Sequence, residues 1–189
     1  MLNGNADVWL IDTARGVPTR FTFDAAADNY PVWSSNGSRV VFASNRNGIS
    51  NLYWKLSSGA GADELLLESD QNKSPAHWSS DGRFLLFRSI DPQTGTDLWV
   101  MPLSSDKKPF PFLKTSFEER EGQFSPDGKW IAYQSNESSQ FEIYVQPFPS
   151  NLCSCWDRAG SFRSPLTVAR SRAGTGMARK SSTSRWTAR

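Results

Sequence analysis

A repeat of about 45 residues runs through most of this chain and limits the folds open to it. Its marker is a four-residue segment that starts with serine and ends with glycine, and the glycines lie 45 and 46 residues apart. The three copies are Ser34-Ser35-Asn36-Gly37, Ser79-Ser80-Asp81-Gly82 and Ser125-Pro126-Asp127-Gly128. Serine, then Asp or Asn, then glycine is the chemistry of a tight turn between two strands. The predicted structural turn residues are Asn36, Gly37, Asp81, Gly82, Asp127 and Gly128.

Short strand-like segments flank each turn. An aromatic residue precedes every turn, and a hydrophobic segment with an aromatic residue five positions past the glycine follows it. A further apolar segment begins at Asp7, Asn51, Asp97 and Glu142, with starts 44, 46 and 45 residues apart. A last short segment covers residues 20–23, 64–67 and 110–113. Each repeat therefore reads as four strands.

A four-stranded antiparallel unit of this length is typical of a β-propeller blade. The segmentation gives blade parts at 1–23, 24–67, 68–114 and 115–149, which is about three blades, so the ring is incomplete within this chain. We therefore predict an all-β partial propeller and not a solenoid, because no segment has a helical pattern to alternate with the strands. The aromatic residues at fixed repeat positions are expected to form the blade core and not a carbohydrate platform. They are Trp33, Trp78, Phe124, Phe42, Phe87, Tyr133, Trp99 and Tyr144.

The aromatic-Ser-x-Asp-Gly turn combined with the Asp-Leu-Trp-Val strand at 97–100 resembles the TolB-like (WD-repeat-like) β-propeller family over residues 1–149. More narrowly, residues 114–128 and 133–149 resemble the propellers fused behind bacterial serine/threonine protein kinases. That resemblance implies a sensor or protein-interaction module, a protein or peptide ligand, covalent fusion to a kinase in related full-length proteins, and the extracytoplasmic side of a bacterial membrane. Two alternatives remain open: the accessory propeller of a prolyl-oligopeptidase-type peptidase, and a TolB-like periplasmic scaffold.

The sequence predicts no catalytic site. It has no Gly-x-Ser-x-Gly segment and a single histidine, His77, which excludes a Ser-His-Asp triad. A glycine-rich phosphate loop, a His-Arg-Asp loop and an Asp-Phe-Gly segment are also absent. His77 is expected to pack at a blade edge. The chain is therefore predicted to be non-enzymatic and to need no cofactor.

Two acidic segments suggest cation binding, and both have a simpler interpretation. Glu118, Glu119 and Glu121 are interrupted by Arg120 on a connection between blades, which favours a solvated loop. Residues 91–97 place oxygen-bearing side chains as calcium loops do, but they lack the glutamate at position twelve and are expected to form a hairpin turn. No metal site is predicted.

Residues 150–189 differ from the rest of the chain. They contain eight Lys or Arg residues and one acid, whereas residues 1–149 contain thirteen and eighteen, so the net charges are +7 and −5. Cys153 and Cys155 lie in this basic tail, so no disulfide framework supports the propeller. The tail lacks the repeat and is predicted to be disordered. The chain has no apolar run long enough to span a bilayer and no recognisable signal peptide.

Two origins are considered for the tail: a nucleic-acid-binding arm and the product of a slip in the reading frame. Translating residues 169–189 with each codon shifted by one base is compatible with a Pro-x-Trp segment, an Asp-Gly-Lys turn and a Phe-Tyr strand. These are the features of another blade. The frame slip is therefore the favoured interpretation, and no nucleic-acid partner is predicted.

Overall fold

The computed structural model describes residues 5–104 and 108–149, together with the backbone of residues 169–171, and this part of the chain is built from antiparallel sheets. The first sheet has two strands, β1 (Trp9–Asp12) and β2 (Val17–Arg20). The second contains β3 (Asp28–Trp33), β4 (Arg39–Asn47), β5 (Ile49–Leu56) and β6 (Glu64–Leu67). The third contains β7 (Lys73–Trp78), β8 (Phe84–Asp91), β9 (Gly95–Pro102) and β10 (Phe110–Leu113). The fourth contains β11 (Glu119–Phe124), β12 (Trp130–Ser135), β13 (Glu142–Pro147) and β14 (Ala169–Ser171).

Strands that follow one another in sequence are neighbours in every sheet, and no helix occurs among the described residues. The predicted all-β partial propeller is therefore confirmed. We call the three four-stranded sheets blades 1, 2 and 3 in chain order. The first strands of successive blades contact one another, β3 with β7 and β7 with β11. These are therefore the inner strands, which lie nearest the axis around which the blades are arranged.

The three Ser-x-Asp-Gly segments form the turn between the first and second strand of each blade. In every copy the glycine N–H donates to the serine carbonyl at 2.9 Å, and the glycine has a positive φ of 69° to 75°. The serine hydroxyl donates to the Asp or Asn carboxyl or amide oxygen at 2.6 to 2.9 Å. It also accepts from the N–H that starts the next strand at 2.9 to 3.0 Å. The first, third and fourth positions of the repeat thus have a role in shaping the turn.

The hydrophobic core consists of three clusters, one at each seam between successive sheets. Phe42 lies in the cluster between the first sheet and blade 1, and Trp78 and Phe87 lie in the cluster between blades 1 and 2. The cluster between blades 2 and 3 contains Phe124, Tyr133 and Tyr144. Trp99 is half-buried against the middle cluster.

Trp33 departs from the predicted blade core, because 52% of it is exposed. Its counterparts Trp78 and Phe124 are covered by the blade that precedes them. The sheet that precedes Trp33 has only two strands, β1 and β2, which correspond to the third and fourth strands of a blade. It therefore offers no inner strands to cover Trp33, whose turn is nevertheless formed like the others.

The fourth strand of blade 3 comes from the basic tail. Ala169, Arg170 and Ser171 pair with β13 in antiparallel register, opposite Val145, Tyr144 and Ile143. The sequence predicts no strand in this segment, which lacks an apolar pattern. Backbone pairing at a sheet edge requires only an extended segment, which explains how a sequence without the repeat occupies the position. The rest of the prediction for residues 150–189 lies outside the described residues.

Candidate functional site

Each inner strand carries a β-bulge at the same position of the repeat. The register shifts fall within residues 29–32, 75–77 and 120–123. In the first and third of these bulges Tyr30 and Glu121 have positive φ angles of 56° and 51°. This region is unfavourable for residues with a side chain, and such strain is concentrated at functional sites. The bulges therefore indicate the inner-strand surface as a candidate functional site.

Arg88 of β8 connects the two strained residues. Its guanidinium group lies over the Tyr30 ring at 5.0 Å, its Nε donates to Ser74 Oγ at 3.1 Å, and its Nη1 donates to Glu121 Oε1 at 3.2 Å. We call these four residues the Arg88 cluster. Because Tyr30, Ser74 and Glu121 belong to β3, β7 and β11, one arginine contacts all three blades. The Arg88 side chain is 19% exposed and that of Glu121 is 62% exposed, so the cluster is accessible.

Two cavities flank the Arg88 cluster, and Tyr30 and Arg88 line both. One, of about 210 Å³, is lined by Pro31, Val32, Pro75 and Ala76 together with the polar side chains of Glu121 and Gln123. The other, of about 230 Å³, is lined by Ser50, Asn72 and Lys73 together with the apolar side chain of Ile90. The cluster is thus a charged centre between two recesses that each combine polar and apolar groups.

A third and larger cavity, of about 380 Å³, lies farther from the axis between blades 1 and 2. Leu67, Phe87, Trp99 and Pro109 provide its apolar lining. The buried Trp99 indole nitrogen has no hydrogen-bond partner among the described residues. Lys73 also reaches this cavity, and burial lowers the pKa of its ammonium group to about 8. The cavity combines an apolar lining with a few polar groups, as small-ligand pockets do.

A row of polar residues crosses each blade at the end opposite the Ser-x-Asp-Gly turns. The members of a row are direct cross-strand partners on the first three strands of the blade. The rows are Asp28, Ser44 and Asn51 in blade 1, Lys73, Ser89 and Asp97 in blade 2, and Glu119, Ser135 and Glu142 in blade 3. All except Glu142 are buried. We call the three rows the polar belt.

The polar belt has opposite charges at two successive seams. Between blades 1 and 2 the buried Lys73 ammonium donates to Asn51 Oδ1 at 2.9 Å, so a cation meets an amide oxygen. Between blades 2 and 3 Glu119 stands at the repeat position of Lys73, and Asp97 stands at that of Asn51. Carboxyl groups therefore replace both the ammonium group and the amide. Asp97 Oδ1 and Glu119 Oε2 are buried and have no hydrogen-bond partner among the described residues. The second seam therefore brings two incompletely satisfied carboxyl groups together.

Burial and mutual repulsion favour the protonated forms of this carboxyl pair. Burial raises the pKa of Glu119 to about 7, the negative charge of Asp97 contributes to that rise, and a hydrogen bond from Thr115 opposes it. Burial also raises the pKa of Asp97, with Thr94 and Lys114 opposing the rise and Asp91 and Glu118 adding to it. By contrast, a 2.6 Å hydrogen bond from Lys114 lowers the pKa of the neighbouring Asp91 to about 2. The pair thus holds a proton close to neutral pH.

The acidic segments divide between the two interpretations given above. Glu119 and Glu121 both lie in β11, where Glu119 is buried and Glu121 is exposed but bonded to Arg88, so the solvated-loop interpretation is wrong for both. Residues 91–97 form the tight β8–β9 hairpin, as expected. Among residues 5–104 and 108–149, no group of three or more acidic, histidine or cysteine side chains has the arrangement of a metal site.

His77 lies at the seam between blades 2 and 3, where its Nδ1 accepts the Phe124 N–H at 3.3 Å and burial lowers its pKa. It therefore packs between strands, in agreement with the sequence. Within the described segments, no helix is long and apolar enough to cross a membrane.

The sequence indicates only part of the polar belt and, of the Arg88 cluster, only Glu121, which it assigns to a loop. The serines of the belt are identical in all three repeats, and its third-strand residues are all acids or amides. The first-strand residues Asp28, Lys73 and Glu119 differ in charge from one repeat to the next. The signal that identifies these three is their spacing of 45 and 46 residues, which equals that of the turn glycines.

Antiparallel four-stranded sheets arranged around a common axis define the class of the β-propellers. The sequence profile of the TolB beta propeller domain matches residues 1–146, and the chain belongs to this family.

Three known proteins illustrate the relationship. The Tol-Pal system protein TolB of Helicobacter pylori is 24% identical over 75% of this chain, and the uncharacterized peptidase YuxL of Bacillus subtilis is 22% identical over 74%. The chain spans only 34% and 27% of the lengths of these two proteins. The crystal structure of TolB from Acinetobacter baumannii matches with a TM-score of 0.67 and 21% identity, over 86% of this chain and 36% of that structure. At this identity the structural similarity establishes the fold alone.

Proposed function

We propose that this chain is a non-catalytic protein-interaction module that binds a segment of a partner protein at the Arg88 cluster. The observation that supports this most directly is the contact of one partly exposed arginine with residues of three blades, between two cavities. A propeller supplies a rigid surface near its axis on which such a site is held in place. Membership of the TolB beta propeller family agrees with an interaction role, since a relative belongs to the Tol-Pal system.

The strained backbone adds to this argument. Tyr30 and Glu121 adopt positive φ angles at the same repeat position, and each such residue costs about 1–3 kcal/mol. In blade 2 this position is occupied by Pro75, whose ring fixes φ at a negative value. The strain is therefore not required by the blade itself. Within the inner strands, positive φ angles are confined to the two residues whose side chains contact Arg88, which is the pattern expected of a binding site.

Photo-cross-linking tests the location of this interaction. A photoreactive phenylalanine derivative at Tyr30, in the parent protein and in the cells that produce it, should give discrete adducts with another protein after irradiation. The same group at Ser58, an exposed turn residue, serves as the matched control. Adducts of equal identity and yield from both positions, or none from Tyr30, would contradict the proposal.

We further propose that the parent protein joins this propeller to a bacterial serine/threonine kinase and displays it on the extracytoplasmic side as a sensor. The resemblance of residues 114–128 and 133–149 to kinase-fused propellers supports this context. The accessory propeller of a prolyl-oligopeptidase-type peptidase is the second candidate, and the similarity to the peptidase YuxL favours it. A TolB-like periplasmic scaffold is the third, and the similarity to TolB favours it.

The coding sequence on both sides of this reading frame discriminates among the three contexts. We expect a kinase domain and one membrane-spanning segment upstream. An α/β-hydrolase domain downstream would instead support the peptidase context, and a secretory signal without an enzyme domain would support the scaffold. The same sequence, read from independent isolates, tests the frame slip near codon 150. A blade motif restored in one continuous frame would support the slip.

A further inference from the structure

We propose that the Arg88 cluster binds a carboxylate group of the partner segment and that Glu121 occupies this position until the partner displaces it. This inference rests on the proposed function, because it specifies the chemistry that the same site recognises. The carboxylate is either an Asp or Glu side chain or a chain terminus, and both present the same planar group to an arginine.

The guanidinium group of Arg88 is only partly used. Ser74 accepts from Nε and Glu121 accepts from Nη1, and none of the described residues accepts from Nη2. A carboxylate binds most strongly to a guanidinium group through two parallel hydrogen bonds, and Glu121 makes one. The present contact therefore leaves a second donor for an incoming carboxylate.

Glu121 is a replaceable occupant. Its side chain is 62% exposed, so water screens its ion pair with Arg88 and weakens the attraction. The backbone that presents it is strained, with φ at 51°. Movement of Glu121 away from Arg88 therefore loses little interaction energy.

Arg88, in contrast, is held in place for a ligand. The Tyr30 ring covers one face of the guanidinium group at 5.0 Å, and Ser74 fixes Nε at 3.1 Å. A side chain held in this way loses little rotamer freedom when a ligand binds. The charge and its orientation are thus supplied before the partner arrives.

The two flanking cavities indicate the residues on either side of the carboxylate. In the first cavity the side chains of Pro31, Val32, Pro75 and Ala76 offer contacts to a small apolar side chain. In the second, Lys73 and Asn72 offer polar groups beside the apolar surface of Ile90, which suits a small side chain that carries a hydroxyl group. The expected ligand is therefore a short segment in which an acidic residue is flanked by a small apolar residue and a small hydroxyl-bearing residue.

Three synthetic peptides test this inference with the purified chain. The first is acetyl-Ala-Val-Glu-Ser-Ala-amide, the second replaces its glutamate with glutamine, and the third is acetyl-Ala-Val with a free carboxyl terminus. Binding is measured by chemical-shift perturbation in NMR titrations at low salt. We expect the glutamate peptide to bind at least tenfold more tightly than the glutamine peptide. Comparable binding of the third peptide would identify a chain terminus as an equally good source of the carboxylate.

Substitutions in the cluster separate this mechanism from general charge attraction. Glu121→Gln should increase the affinity for the glutamate peptide severalfold, because it removes the internal anion. Arg88→Lys should reduce it about tenfold, because a single ammonium group cannot form the two parallel hydrogen bonds. Arg83→Gln is the matched control, since Arg83 is an exposed arginine beside Asp81 in the turn at the other end of blade 2. Equal binding of the glutamate and glutamine peptides, or weaker binding by Glu121→Gln, would overturn the inference.

Cross-linking from Tyr30 distinguishes the failure of this inference from failure of the proposed function. One outcome is that adducts form equally well in the Arg88→Lys variant while the glutamate and glutamine peptides bind with equal affinity. That result would support the interaction site and contradict carboxylate recognition by Arg88. Loss of adducts in the wild-type protein would reject both.

Discussion

Glu119→Gln should stabilise the protein at alkaline pH by about 3 kcal/mol and leave its stability near pH 4 almost unchanged. The reason is the raised pKa of the buried Glu119 carboxyl group, about 7 in the folded protein against 4.5 for an ordinary glutamate. The folded state therefore holds a proton that the unfolded chain releases. The associated stability is complete below pH 4.5 and is lost as the pH rises through 7. Glutamine keeps the shape of the protonated acid and has no proton to lose.

The measurement is the free energy of unfolding in urea at a series of pH values from 4 to 9. Wild-type stability should fall across this range, and the Glu119→Gln profile should be flatter. Asp97→Asn should also flatten the profile, because burial raises the pKa of Glu119 and the charge removed from Asp97 adds to that rise. Glu68→Gln, at an exposed position, is the control and should parallel the wild type. Parallel profiles for wild type and Glu119→Gln would show that the pair is not protonated as described.

Phe148→Ala should lower the free energy of unfolding by about 3–5 kcal/mol. Phe148 follows β13 and lies in the core between blades 2 and 3, with its ring 5.2 Å from Phe84, 5.1 Å from Phe124 and 6.1 Å from Phe112 between centroids. All three pairs have edge-to-face geometry, which adds to the energy of burial alone. Truncation leaves a cavity among these three aromatic rings, where the surrounding strands cannot close in.

Phe141→Ala is the matched control for this substitution, because the Phe141 side chain is about half exposed and contacts Arg120 at the surface. Its truncation should cost less than about 1 kcal/mol. Urea unfolding monitored by tryptophan fluorescence compares the two variants. Equal losses of stability would mean that the seam between blades 2 and 3 does not depend on this aromatic cluster.

The architecture was predictable because its determinants are local. A serine, an Asp or Asn and a glycine define each turn through hydrogen bonds within five residues, so the motif specifies the turn wherever it occurs. Trp33 shows the limit of this reasoning. Its turn is formed like the others, but its burial depends on the inner strands of a preceding blade, and the preceding sheet has none.

The candidate site was not predictable because its parts are distant in sequence and different in chemistry. Tyr30, Arg88 and Glu121 belong to three blades, and no spacing rule relates an arginine on a second strand to residues at two bulges. Glu119 is likewise buried because blades 2 and 3 pack together around it, and this packing is not visible in the local sequence. Its neighbours in the sequence are charged, which favoured a solvated loop.

Mutational tolerance within each blade should rise from the axis to the rim. The inner strands place Asp28, Lys73 and Glu119 in buried positions where few side chains fit, and at least half of each second strand is buried. The outer strands β2 and β6 are mostly exposed, and β14 joins its sheet by main-chain pairing with β13. Because that pairing requires little beyond an extended backbone, mutation can replace whole segments of the outer strands. The buried residues of the inner strands, near the axis, should change far less. Variation among natural relatives should follow the same radial gradient.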